Sequence, residues 1–235
     1  VKFWVLDHQL ISSEFKQFLK FVEGGSNGSF SFEFIKYQWP PWLRPQRFLD
    51  RELAASKVIL LDVLFPREVS KVIYLDPASQ VSKLARLIDF EFDTPFAMLK
   101  AVGNSGEKNY WEEGYWKKFL KDNGLKFFST DGVLLINLAQ YRRAAAGDKL
   151  RIHYQRLSGD IFSLANLDQD LVNNLQLEVP ISVLKSDLVK PQKDKYRHEL
   201  VDHWEAIFAK HNEEILDKDE AFYEEDSDYD GIFHD

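Results

Sequence analysis

The 235-residue sequence predicts an α/β fold: a mostly parallel central sheet flanked by helices, with a long helix near the C-terminus. Three observations predict it. Short apolar runs, Val72-Ile-Tyr-Leu75 and Gly132-Val-Leu-Leu-Ile-Asn137, have the character of strands covered on both faces. Before and after them lie segments whose apolar residues recur at helical spacing. Finally, Tyr196, Leu200, Trp204, Ile207, Phe208, His211 and Ile215 line one face of a long amphipathic helix. A hydrophobic fraction of 45%, with 19 Phe, 9 Tyr and 6 Trp, is ample for one core, so residues 1–216 are expected to form a single domain.

Taken in order, residues 2–6 read as a strand, and Ser12 or Ser13 would cap a helix with the apolar face Phe15, Phe18, Leu19 and Val22. Glu23-Gly-Gly-Ser-Asn-Gly-Ser29 is a loop, after which residues 31–37 alternate like a strand. Trp39-Pro-Pro-Trp42 leads to one helix over about 48–64, followed by Pro66. The strand at 72–75 comes next. The strand at 132–137 precedes a helix that Gly147 would terminate, and residues 150–157 would form a further short helix.

The formal net charge of −8 is an end effect: between positions 217 and 235, nine acids stand against Lys218 alone. The body is therefore balanced and offers no concentrated basic footprint for nucleic acid. Residues 217–235 are expected to be a solvated, weakly ordered tail. No run approaches the ~20 apolar residues that a membrane span needs. Cysteine is absent, which excludes disulfides and thiolate metal sites within this sequence. Val1 already lies in a strand pattern, so the domain is expected to begin upstream of it.

Ligands of open α/β sheets gather at the carboxyl ends of strands. Lys71-Val-Ile-Tyr-Leu-Asp76 places Asp76 at such an end, as a candidate cation ligand or a plain loop residue. Upstream lies Val58-Ile-Leu-Leu-Asp-Val-Leu-Phe-Pro66. Downstream are Arg143-Ala-Ala-Ala-Gly-Asp148 and Ser163-Leu-Ala-Asn-Leu-Asp-Gln-Asp-Leu-Val-Asn-Asn174. Two carboxylates and an amide on the segment Asn166-Leu-Asp-Gln-Asp170 suit several sugar hydroxyls. The plainer alternative is a helix start whose acids complement the dipole.

Across residues 2–184 these blocks resemble the catalytic domain of the UDP-glucose:glycoprotein glucosyltransferases, glycosyltransferase family 24. Within the family the resemblance is greatest to the divergent fungal branch associated with killer-toxin resistance and cell-wall β-1,6-glucan. It implies a GT-A-like nucleotide-diphospho-sugar transferase fold, retaining hexosyl transfer and UDP-glucose as donor. It also implies a divalent cation (Mn, Ca or Mg) bridging the diphosphate as a Lewis acid. Carried over residue by residue, the resemblance makes Asp76 the metal ligand and Asp168 and Asp170 the catalytic carboxylates. Lys57, Asp76, Gln169 and Asn174 become donor contacts. The family pattern Asp-Ala-Asp-Gln is here Asp76-Pro-Ala-Ser79, so its second ligand falls on Ala78, which has no oxygen to offer. Impaired or lost metal-dependent catalysis is expected. The alternative is an active glucosyltransferase that reglucosylates misfolded N-glycoproteins.

The same resemblance implies a glycoprotein or glycan acceptor, an upstream folding-sensor region of the same protein, and the endoplasmic reticulum lumen. The ending Phe233-His234-Asp235 would need only Glu-Leu to complete a retention signal. Asn27-Gly28-Ser29 is a glycosylation sequon in a loop, usable only in a secretory compartment. His198-Glu-Leu-Val-Asp202-His203 lacks the histidine spacing of a zinc-protease helix.

Overall fold

The computed structural model describes residues 1–7, 12–36, 38–46, 48–75, 84–103, 109–159 and 163–188. They fall into two compact units, one containing Val1–Tyr37 and one spanning Gln38–Gln192. In the first unit, β1 (Lys2–Asp7) and β2 (Ser31–Lys36) pair in parallel, Lys2 opposite Ser31 and Asp7 opposite Lys36. The connecting helix α1 (Ser13–Gly24) starts as the sequence predicts. The Phe15 N–H donates to Ser12 Oγ at 3.2 Å, and Phe18 is the buried anchor of its apolar face.

The second unit is built on β3 (Lys71–Leu75), β4 (Phe96–Lys100), β5 (Phe128–Asn137) and β6 (Ile181–Leu184), in the order β3-β5-β4-β6. Here the expected mostly parallel sheet is corrected. β5 runs antiparallel to both β3 and β4, whereas β6 is parallel to β4. Three strands share one direction and β5 alone is reversed. Because the reversed strand is central, the described sheet is largely antiparallel. The second correction concerns β3, which is half-buried along its length and not covered on both faces. It lies at an edge of the described sheet. The covered strands are β4 and β5, where Phe96, Ala97, Met98 and the stretch from Val133 to Ile136 are 1% exposed or less.

The single helix expected over 48–64 is two, α2 (Leu49–Ile59) and α3 (Leu61–Leu64), broken at Leu60. The cause is visible in the carbonyls. Val58 O accepts from the Tyr141 hydroxyl at 2.7 Å and Ile59 O from Arg151 Nη1 at 2.7 Å. With Ile59 O engaged, the Val63 N–H turns to Leu60 O, which also takes the ordinary helical bond from the Leu64 N–H. Helix α4 (Leu84–Ile88) follows β3, and α5 (Gly114–Asn123) precedes β5 and ends on left-handed Gly124.

Gly147 does not end a helix. α6 (Leu138–Arg143) stops at Ala144, and Ala145 turns left-handed (φ 49°) into α7 (Ala146–Leu157), which also contains the short helix expected at 150–157. A Cβ on Gly147 would sit 2.6 Å from Asp62 Oδ2 and 2.8 Å from Arg151 Nη1. Glycine is there so that this ion pair can lie against the helix backbone. The last α-helix among the described residues of the second unit is α8 (Leu167–Asn174). No helix among the described residues is long and apolar enough to cross a membrane. The helix expected at 196–215 and the tail at 217–235 lie outside the described residues.

Gly147→Ala tests this account. Alanine favours a helix interior over glycine by about 1 kcal/mol, so a merely helical glycine would be stabilised by the change. Displacing Asp62 and Arg151 should outweigh that gain, for a net loss of about 1–3 kcal/mol in urea unfolding.

Candidate functional site

The site is assembled where α8 meets β5 and α2. Asn173 fixes the first contact: the Phe128 N–H donates to its Oδ1 at 2.9 Å, and its Nδ2 donates to Phe128 O at 2.8 Å. A primary amide with donor and acceptor side by side thus pairs with one backbone residue as a neighbouring strand would. Asn173 is fully buried, and its Nδ2 also donates to Gln169 O, one turn earlier in α8.

Two residues beyond Phe128, the β4–β5 register shifts: Met98 faces Leu134 but Leu99 faces Ser129. The intervening residues of β5 form a bulge, and Gly132 within it adopts φ 84°. Gly132 thus stands where the chain requires left-handed backbone. Released from a regular ladder, Thr130 turns to α8. Its Oγ1 donates to Asp168 Oδ2 at 2.5 Å and its N–H to Gln169 Oε1 at 3.4 Å.

The third support comes from α2. Lys57 Nζ lies 2.7 Å from Asp168 Oδ2, with both side chains largely buried, and 5.1 Å from the centroid of the Tyr74 ring on β3. Arg51, one and a half turns earlier, donates to Leu164 O at 2.9 Å and Ala165 O at 3.1 Å. It thereby fastens the loop that enters α8, where Leu164 is left-handed at φ 55°.

Asp170 is 4% exposed, and its two oxygens have different partners. Oδ1 accepts from the Tyr110 hydroxyl at 3.0 Å and Oδ2 from the Asn166 N–H at 2.8 Å. Burial raises its pKa above the ordinary 3.8; the Asn166 and Tyr110 donors pull the other way, and the charge of Asp168 adds to the rise. The Tyr110 hydroxyl also accepts from Gln169 Nε2 at 3.0 Å, so one phenol joins the two side chains. Burial raises the Tyr110 pKa as well, keeping it a neutral donor.

Of the residues expected at the site, Lys57, Asp168, Gln169 and Asp170 form one continuous network. Asn174 meets that network only at the Asp170 backbone. Its Oδ1 accepts from the Tyr115 hydroxyl at 2.6 Å, and its Nδ2 caps Asp170 O at 3.1 Å. Asp76 and Ala78 lie outside the described residues. Thr130, Tyr110, Arg51 and Asn173 were not legible as site residues, although Asn173 falls within the block from Ser163 to Asn174. Among the described residues, no three His, Asp or Glu side chains gather as a cation cage. Asp168 Oδ2 is instead engaged by the Lys57 ammonium and the Thr130 hydroxyl, and the two Asp170 oxygens by a phenol and a backbone amide. These described residues do not fit a divalent cation.

The comparisons agree with this architecture. A family model described as Glucosyltransferase 24 matches residues 1–199. The chain is 40% identical over 212 residues to Killer toxin-resistance protein 5 of Saccharomyces cerevisiae, covering 89% of this chain and 15% of that protein. It is 38% identical over 193 residues to UDP-glucose:glycoprotein glucosyltransferase 1 of Homo sapiens, covering 80% of this chain and 12% of that protein. The chain thus spans only a small part of the length of the curated relatives it matches. Among solved structures, the galactosyltransferase LgtC in complex with donor and acceptor sugar analogs superposes with a TM-score of 0.54 at 20% identity, over 79% of this chain and 63% of that one. The apo bifunctional glycosyltransferase WbbM gives 0.53 at 18% identity, over 78% and 33%. The fold is of the GT-A type.

Two outcomes check the geometry. Lys57→Met leaves Asp168 buried without its cation and should cost about 3–5 kcal/mol. Adding Asp168→Asn in the same chain should recover most of that loss in chemical unfolding. The second concerns pH. A carboxyl whose folded pKa is raised favours the fold below its unfolded pKa and loses that contribution as pH rises through the folded value. Wild type should therefore lose stability relative to Asp170→Asn from about pH 4 upward, levelling off once Asp170 is ionised. A difference independent of pH would show that Asp170 titrates normally.

Proposed function

Because this chain belongs to the Glucosyltransferase 24 family, we propose that it is the donor-sugar domain of a longer protein of the endoplasmic reticulum lumen. In this reading it binds UDP-glucose weakly, with metal-dependent transfer impaired or lost. The protein would serve glycoprotein or cell-wall β-1,6-glucan biogenesis, acting on a glycoprotein or glycan with a folding-sensor region upstream.

One observation carries the reading: the Asp168 carboxylate is already neutralised by Lys57 at 2.7 Å and held by Thr130. Metal-assisted departure of a diphosphate needs carboxylate oxygens open to a hard cation, and a lysine open to the phosphates. Here the carboxylate and the lysine satisfy each other. The sequence points the same way, since Ala78 stands where the family pattern has its second carboxylate. What remains for Asp168, Gln169 and Asp170 is to orient sugar hydroxyls. A buried carboxylate fixed by two donors accepts from a hydroxyl in a defined direction, and the Gln169 amide, oriented by Tyr110 and Thr130, sits between the two acids.

Calorimetry on the intact protein with UDP-glucose, with and without manganese, tests this. The expected result is binding weaker than about 0.1 mM (above about −5.5 kcal/mol) that manganese does not strengthen. Micromolar, manganese-dependent binding accompanied by glucose transfer would establish the second reading instead. That reading is an active UDP-glucose:glycoprotein glucosyltransferase reglucosylating misfolded N-glycoproteins, which the identity of 38% to the human enzyme favours.

A further inference from the structure

The loop between α1 and β2 turns on Asn27 and Gly28. The Ser29 N–H donates to Ser26 O at 3.0 Å, closing a four-residue turn. Its two central residues are both left-handed, Asn27 at φ 50° and Gly28 at φ 76°. That is the signature of a type I′ turn, and Asn-Gly is the pair that tolerates it best. The turn is braced from beneath by Ser26, whose hydroxyl donates to Glu23 O at 2.7 Å and Phe30 O at 3.3 Å. Asn27, Gly28 and Ser29 are all exposed. Asn27-Gly28-Ser29 is also the one Asn-x-Ser/Thr triplet among the nine asparagines of the sequence.

We propose that Asn27 is an N-glycosylation site, carrying an oligosaccharide at the tip of this turn. The proposal rests on the lumenal location proposed above. The donor is a polyprenyl-diphosphate oligosaccharide supplied by a separate oligosaccharyltransferase. Asn27 Nδ2 attacks C1 of the first sugar, the N–C1 bond forms as the C1–O bond to phosphate breaks, and the diphosphate leaves with that electron pair. The amide gives up one proton to solvent.

Two physical requirements are met. The side chain of the first central residue of such a turn projects away from the strands and helix it joins, so a bulky hydrophilic group displaces no packed side chain. A Cβ built on Gly28 also meets no heavy atom within 4 Å, so there is open space around the tip. The turn is closed through Ser26 and the Ser29 backbone. The Ser29 hydroxyl therefore remains a free variable: replacing it removes the sequon without touching the turn.

The full-length protein, made in a eukaryotic secretory host with an added C-terminal Asn-Gly-Thr reporter, provides the test. Peptide mass spectrometry after endoglycosidase H should find one N-acetylhexosamine on Asn27, a mark that spontaneous deamidation of Asn-Gly cannot imitate. Ser29→Ala and Asn27→Asp, both compatible with the left-handed turn, should each abolish it, while Ser29→Thr should retain it. A glycosylated reporter with bare Asn27 overturns the site and leaves the lumenal reading standing. If neither is glycosylated, both the site and the lumenal reading fall.

Discussion

The guanidinium of Arg151 sets the geometry on which the candidate site depends. It is 8% exposed and sits where α2, α3 and α7 converge. Its donors reach Ile59 O at 2.7 Å, both Asp62 oxygens at 2.7 and 2.8 Å, and Asp148 Oδ1 at 2.7 Å. Asp62 holds the guanidinium proton more firmly still, against the opposing effect of burial. A buried pair of this kind is weak evidence for stability, because desolvation offsets much of the attraction. Its positional effect is clearer: a planar fork on a carboxylate permits little sliding. With Tyr141 bonded to Val58 O, the end of α2 is fixed against α6 and α7, and Lys57 is fixed with it.

A second constraint meets the first at Asp168. Asn173 locks α8 to the start of β5, the bulge around Gly132 turns Thr130 toward α8, and Lys57 reaches the same Asp168 oxygen from α2. Neither clamp alone would hold the carboxylate, since the Thr130 hydroxyl can rotate and a lysine stem has four flexible bonds. Together they fix Asp168 Oδ2 between an ammonium and a hydroxyl. The same logic extends to Asp170, where a backbone N–H and a phenol occupy one oxygen each.

Much of this could be read in the sequence, and the unread parts share a cause. The apolar runs at Val72 and Val133, the Ser12 cap and the helical start at Asn166 are local signals, and each appears in the structure. Strand direction is not local. Helix–strand alternation fits a sheet in which β3, β4 and β6 run together, and nothing in the β5 pattern announces that it is reversed between them. Gly147 misled for a similar reason. Glycine near a helix end usually marks a cap, but this one clears space for Asp62, 85 positions away in sequence. The block from Ser163 to Asn174 supplies Asp168, Gln169 and Asp170 to the network. What it could not reveal is that Asn173 serves the fold, or that Tyr110 and Thr130 are brought to it from distant segments.

The charge arrangement that results is unusual for two acids on one helical turn. Asp168 and Asp170 both lie in the first turn of α8, where the dipole favours negative charge. Yet only Asp168 has a cation within ion-pair distance among the described residues; Asp170 is held by two neutral donors with Arg51 acting from farther off, and burial raises its pKa. The pair therefore presents oriented acceptors and not a concentrated negative field. Oriented acceptors suit a hydroxyl-rich ring. A diphosphate asks for something else: it must share the Lys57 ammonium with Asp168, and any displacement leaves that buried carboxylate with Thr130 as its remaining described donor. In the proposed reading, a donor nucleotide would gain at Lys57 only what exceeds that loss, so an ion pair the fold has already made would limit its affinity.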